Sequence, residues 1–198
     1  MKKMLFYAIA IGLFACNQPG NNKQTTENNE LADTNTHNFF PVANYIAGQI
    51  KVIDSLQLPI SKKITVGKSE SIMAADIKDL IEQANQFQNP DFTQPGIRER
   101  YKETSFADQS IPSVTFNYTT TDTAAAFQRV DVIISPDPVK ADKVRSIYME
   151  KYFFLADTSI QQKLFWKADK HLLVITEKKI AGQILPVQQL KLTWDPTE

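Results

Sequence analysis

Catalysis needs a nucleophile with a base, a working acid–base pair or a metal, and few side chains in this sequence are of those types. There are two histidines, His37 and His171, and one cysteine, Cys16, among 198 residues. A histidine-based triad would have to use His171, because His37 sits in a polar stretch, and no Gly-x-Ser-x-Gly elbow is present. His171 follows Ala168-Asp169-Lys170, which looks like a hairpin connection, so a solvated turn residue is its expected role. Zinc requires thiolates and imidazoles that the chain mostly lacks. No glycine-rich phosphate loop appears either; after the first turns of the chain the glycines are Gly48, Gly67, Gly96 and Gly182. No cofactor and no metal are expected.

Carboxylates are plentiful but show no catalytic pairing. Asp131 stands out because it falls mid-strand, two residues from Arg129. Residues two apart share a sheet face, so the simplest expectation is a surface ion pair. Asp108 and Asp137 are expected to shape turns. Trp166 and Trp194 alternate with leucines and read as core anchors. These residues point away from an enzyme.

Cys16 differs because of what precedes it. Met1-Lys2-Lys3-Met4 is basic, and Leu5 to Phe14 is apolar apart from Gly12. That run of about ten residues is half what a spanning helix needs, and with its basic flank it reads as a signal peptide. It ends Leu13-Phe14-Ala15-Cys16, which resembles the lipobox of bacterial lipoproteins, with the bulky Phe14 a departure from the commonest pattern. The resemblance implies that residues 1–15 are removed and that Cys16 is lipidated, with acyl chains such as palmitate anchoring the protein to a membrane. Two or more acyl chains hold stably where one does not.

Residues 17–38 hold Asn, Thr and Gln, with Leu31 the exception to their polarity. They cannot bury enough surface to order themselves, so a disordered tether with a reach of roughly 25 Å is expected. Asn17, not Asp, follows the cysteine, and no acidic run comes after it. Both features favour the outer membrane with the domain facing the periplasm. Loss of Lys2 and Lys3 leaves 20 basic side chains against 22 acidic ones, a net of −2. Nucleic acid is therefore not an expected partner.

The remaining chain, 39–198, is long enough for one domain with its own core. Asn38 could cap a helix with Pro41 in its first turn and a stripe from Val42 to Leu56, ending at Pro59. Ile60 to Val66 reads as a strand. Ser69 or Ser71 would open a second helix through Phe87, and Pro95 to Lys102 a short third one. From Ser113 the period changes to two, with alternation at Val114 to Tyr118, Val130 to Ile134, Val144 to Phe154, Gln161 to Lys167, Leu172 to Glu177 and Gln189 to Trp194. The expected fold is α+β: N-terminal helices packed on one face of an antiparallel meander of about five to six strands, which a curl would turn into a half-barrel.

The second face of that sheet carries Phe127, Ile133 and Phe165, with Tyr148 and Tyr152 near them, among Arg129, Asp131, Lys163 and Lys167. An apolar face of this kind is a candidate ligand-binding surface. Covering by the segment 89–112 is the blander alternative, and scattered surface aromatics are common.

Several strings look familiar together: Phe39-Phe40-Pro41-Val42, Glu103-Thr104-Ser105-Phe106-Ala107-Asp108-Gln109, Gln128-Arg129-Val130-Asp131-Val132, Ser146-Ile147-Tyr148-Met149-Glu150-Lys151, Lys163-Leu164-Phe165-Trp166-Lys167 and Trp194-Asp195. They resemble small lipoproteins of Bacteroidota that have no assigned activity, and the likeness implies class and location only. Helices followed by a meander are also similar in architecture to lipoprotein-localisation carriers, without a shared motif, and fold does not dictate function. Asp122-Thr123-Ala124 resembles the O-glycosylation acceptor of Bacteroidota, which would place a glycan on Thr123 in an exposed loop. The expected function is a membrane-tethered, non-enzymatic envelope module that binds another envelope protein or the wall. The alternative is a carrier of lipid or another apolar ligand.

Overall fold

The structure, a computed structural model, describes residues 39–108, 110–136 and 143–195. Cys16, the tether, His37, the expected cap Asn38 and the turn residue Asp137 lie outside them. Among the described residues there are two α-helices and ten strands. This corrects the expected fold: sheet dominates, the strands outnumber the five or six foreseen, and a β-hairpin separates the helices.

Helix α1 is Val42–Ser55, followed by strands β1 (Ile60–Val66) and β2 (Ser69–Ala75) and helix α2 (Ile77–Gln88). After a short 3-10 turn at Arg98–Arg100 come β3 (Lys102–Asp108), β4 (Ser113–Thr119), β5 (Arg129–Ser135) and β6 (Lys143–Leu155). The series ends with β7 (Thr158–Lys167), β8 (His171–Ile180), β9 (Gln183–Ile184) and β10 (Gln188–Thr193).

Two local features explain the differences from the sequence-based expectation. Gly67 adopts φ of 57°, so Gly67-Lys68 closes a two-residue turn that pairs Val66 with Ser69. The chain therefore leaves the turn as a strand, where a helix starting at Ser69 or Ser71 was expected. The helix begins later because Asp76 is a stronger cap. Its carboxylate accepts from the N–H groups of Lys78 (2.9 Å) and Asp79 (3.0 Å), and the Asp79 carboxylate accepts from Asp76 N–H at 3.2 Å. The third helix shrinks to the three-residue turn. Strand β3 follows it at the sheet edge, where most side chains are exposed and no buried alternation marks a strand.

The strand order is β2-β1-β10-β8-β7-β6-β5-β4-β3, with β9 paired to β8, and every pairing is antiparallel. From β3 to β8 each strand pairs with the next, and β10 then slots between β8 and β1. β2 and β3 stand at opposite edges. The segment joining them, which contains α2, must cross the sheet, and it covers one face in doing so. Leu80, Ala84 and Phe87 on α2 and Ile46 on α1 are buried there with Ile147, Met149, Leu164, Trp166, Leu172 and Leu192 of the strands. Phe87 meets the Trp166 ring edge-on at 5.8 Å, and Trp166 lies 5.2 Å from Trp194. Toward β4, Phe39, Phe92, Tyr101 and Tyr118 form a second aromatic group, where Tyr118 Oη accepts from Phe40 N–H at 3.0 Å.

Candidate functional site

Strand alternation sends one set of side chains under the helices and the other set to the opposite face, where Ser113, Thr115 and Asp131 are buried and Ile133, Tyr148 and Phe165 half-buried. The register places Asp131 beside Tyr148 and Phe165, Ile133 beside Ser146 and Lys167, and Leu173 and Ile175 further along the same face. Tyr148 and Phe165 stack across β6 and β7 with centroids 4.7 Å apart.

Asp131 is the centre of this face. Arg129 Nε donates to both its oxygens at 3.0 Å, and a terminal guanidinium nitrogen lies 2.7 Å from Oδ2. Asn117 Nδ2 donates to Asp131 Oδ1 from the neighbouring strand. The guanidinium lies 5.9 Å over the Tyr148 ring, and Tyr148 Oη donates to Glu150. Lys163 pairs with Glu177 at 3.3 Å. The Asp131 hydrogen bonds push the guanidinium pKa further up. Burial, then the Glu150 hydrogen bond and charge, hold the Tyr148 phenol well above its ordinary pKa.

This arrangement is satisfied within itself. Asp131 accepts from the Arg129 guanidinium and the Asn117 amide, and Tyr148, its pKa raised, stays protonated at neutral pH. Among the described residues no three His, Cys, Asp or Glu side chains cluster as a metal site. His171 opens β8 beside the turn at 168–170. What the face offers is a broad amphipathic surface: aromatic and aliphatic side chains half-buried between ion pairs.

Of the residues singled out in the sequence, Ile133 and Phe165 are on this face. Ile133 lines a shallow depression of about 370 Å³ with Phe106, Ile111, Thr115, Arg145 and Lys167. Phe127 is not there, which corrects that expectation. It is fully buried on the helix side, under the Lys151 ammonium at 4.6 Å from its ring centroid, and its carbonyl accepts from Tyr101 Oη at 2.7 Å. The reason is local. β5 begins only at Arg129, and the preceding loop is tied by Gln128 Nε2 to the carbonyls of Asp122 (3.2 Å) and Ala125 (2.9 Å). Strand alternation does not reach back to Phe127, so its ring is free to enter the core. Thr123 is exposed in that same loop, after Asp122, which accepts from Ala124 N–H at 2.9 Å and pairs with Arg100 at 3.2 Å.

Sequence reasoning missed Asn117 and Glu150, whose roles depend on which strand lies beside which. It also missed the run Tyr152-Phe153-Phe154-Leu155, where four successive apolar residues break alternation at the end of β6. That break was the available signal, because a strand with one covered face has no reason to be apolar on both. No protein-family model matches this chain, and no curated protein matches its sequence.

Proposed function

We propose that this chain is a lipid-tethered module of the cell envelope, held through Cys16 to the periplasmic side of the outer membrane, that binds another envelope protein through its uncovered sheet face and carries out no catalysis. The observation that carries the reading is the face itself. Tyr148, Phe165, Ile133, Leu173 and Ile175 lie half-buried, each with part of its surface in solvent, on strands whose polar groups are already paired with each other. A surface of this composition gains from excluding water and has few unsatisfied groups to lose by it. The tether is supported by the resemblance around Cys16. The carrier alternative draws no support from the geometry. Phe127 lies on the opposite side from Ile133 and Phe165, and large side chains fill the space between helices and sheet.

Two measurements test the reading. Palmitate labelling in the native bacterium is expected to mark the wild-type chain and to vanish with Cys16→Ser. A photo-reactive amino acid at Phe165 is expected to give one discrete envelope adduct, whereas the same group at Val52, on the exposed side of α1, gives none. Equal cross-linking at both positions, or none at Phe165, would refute binding through the open face.

A further inference from the structure

One end of the sheet is built unlike the rest. The register aligns Ser69, Val66, Gln188, Thr176, Gln162 and Lys151 in one row across β2, β1, β10, β8, β7 and β6. β1, β2 and β10 end near that row, and β5 starts beside Glu150. β6, β7 and β8 run four residues further, to Leu155, Thr158 and Ile180. They project as a ribbon about 13 Å beyond their neighbours.

Backbone hydrogen bonds join the turns at this end. Ala181 N–H donates to the Asp157 carbonyl (3.1 Å), Leu185 N–H to that of Lys178 (2.9 Å), and Gly67 N–H to that of Val187 (3.1 Å). The turn between β6 and β7, the β8–β9 turn and the β1–β2 turn thus form one surface. It is apolar and open: Phe154 is 75% exposed and Ile184 77%, with Phe153, Leu155, Ile180 and Leu185 beside them. Exposed apolar clusters of this kind on a soluble domain mark a docking site.

Charge identifies the occupant. Lys178 and Lys179 line one depression with Phe154 and Ile184, and Lys68 is exposed in the adjoining β1–β2 turn. The nearby carboxylates are engaged elsewhere, Glu177 with Lys163 at 3.3 Å and Glu70 with Lys63 at 2.7 Å. Among the described residues that leaves Asp157 against three ammonium groups with no carboxylate partner. A second copy of the chain would bring the same cations face to face. A bilayer with anionic headgroups accepts both features, apolar side chains below the phosphates and lysines among them.

We infer that the projecting end of β6–β9 docks directly on an anionic membrane surface, with Phe154 and Ile184 entering the headgroup boundary and Lys68, Lys178 and Lys179 meeting phosphates. This contact is independent of any lipid on Cys16. It would fix the orientation of the domain on the membrane and leave the open sheet face turned sideways toward a partner.

The test uses a chain beginning at Asn17, which lacks Cys16 and keeps every core residue from Phe39 to Trp194. Co-sedimentation is measured with vesicles of phosphatidylethanolamine and phosphatidylglycerol, and with phosphatidylcholine alone. Binding to the anionic vesicles is expected, and about tenfold or more of it is lost in the double variant Phe154→Asp, Ile184→Asp. Lys178→Gln with Lys179→Gln should weaken it about twenty-five-fold, at about fivefold per lysine, with little change on phosphatidylcholine. All four side chains are exposed, so a thermal melt matching wild type is the folding control. No sedimentation with anionic vesicles, or binding that survives the double apolar variant, overturns the inference. So does a dimer in analytical ultracentrifugation that Phe154→Asp dissociates, because the occupant would then be a second copy.

Discussion

Replacing Lys151 by methionine is expected to make the protein more stable at neutral pH. The Lys151 side chain faces the helix side of β6, with its ammonium 4.6 Å from the Phe127 ring centroid and 3.4 Å from the Asn89 carbonyl. None of the described ion pairs includes it. Burial pulls its pKa from 10.5 down to about 8. A fall of that size corresponds to about 3 kcal/mol against the charged form. The amine is still partly wetted, and solvent screening roughly halves the figure, to about 1.5 kcal/mol. The ring contact returns about 0.5 kcal/mol. Methionine keeps an unbranched apolar stem at the position, so the net gain for Lys151→Met is about 1 kcal/mol at pH 7.

The pH dependence follows from the same shift. The folded-state pKa lies below the unfolded one. Below about pH 8 the amine is charged in both states and the burial cost is fully present. Between about 8 and 10.5 the folded protein releases its proton while the unfolded chain keeps it, so the wild type gains stability as pH rises. The advantage of the variant should shrink over that window and vanish above it. Urea unfolding followed by the fluorescence of the buried Trp166 and Trp194 measures both effects. A variant less stable than wild type at pH 7, or an advantage that does not change with pH, would refute the argument that desolvation outweighs the ring contact.

Two further changes probe the open face and the second helix. Asp131→Ala leaves Arg129 and Asn117 without their acceptor and should cost about 1–2 kcal/mol in urea unfolding, whereas Asp131→Asn, which keeps an acceptor oxygen, should cost less than the alanine change. Asp76→Ala removes an acceptor from two helix N–H groups and should cost about 1 kcal/mol, seen as a lower thermal midpoint without loss of the folded baseline.

Much of the strand content was legible because a sheet with one covered face writes its burial as a period of two. Val130 and Val132, Leu164 and Trp166, and Leu172 and Val174 are buried on the helix side as alternation requires. Where the face was exposed the pattern fell silent. The edge strand β3 and the short β9 have no buried alternation, and neither could be read. Ser69–Ala75 was misassigned because serine caps helices as readily as it leaves a turn; the left-handed Gly67 and the capping box at Asp76 decided the matter. On the candidate site, Ile133 and Phe165 were found by parity. Phe127 was misplaced by the same rule, because parity holds only while the residue remains in the strand.

What the amino-acid sequence determined alone is local or compositional. It set the alternation of the central strands, the scarcity of catalytic residue types and the cysteine context at the N-terminus. These follow from neighbours within a few positions, where side-chain direction and charge are set by chain geometry. Tertiary structure decided what depends on pairing between distant segments. β10 joins β1 across more than a hundred residues, Asn117 reaches Asp131 only because β4 lies beside β5, and the ribbon of β6, β7 and β8 projects only because its neighbours end first. Register across strands is fixed by burial of one shared face, a cooperative property of the whole sheet that no single segment carries.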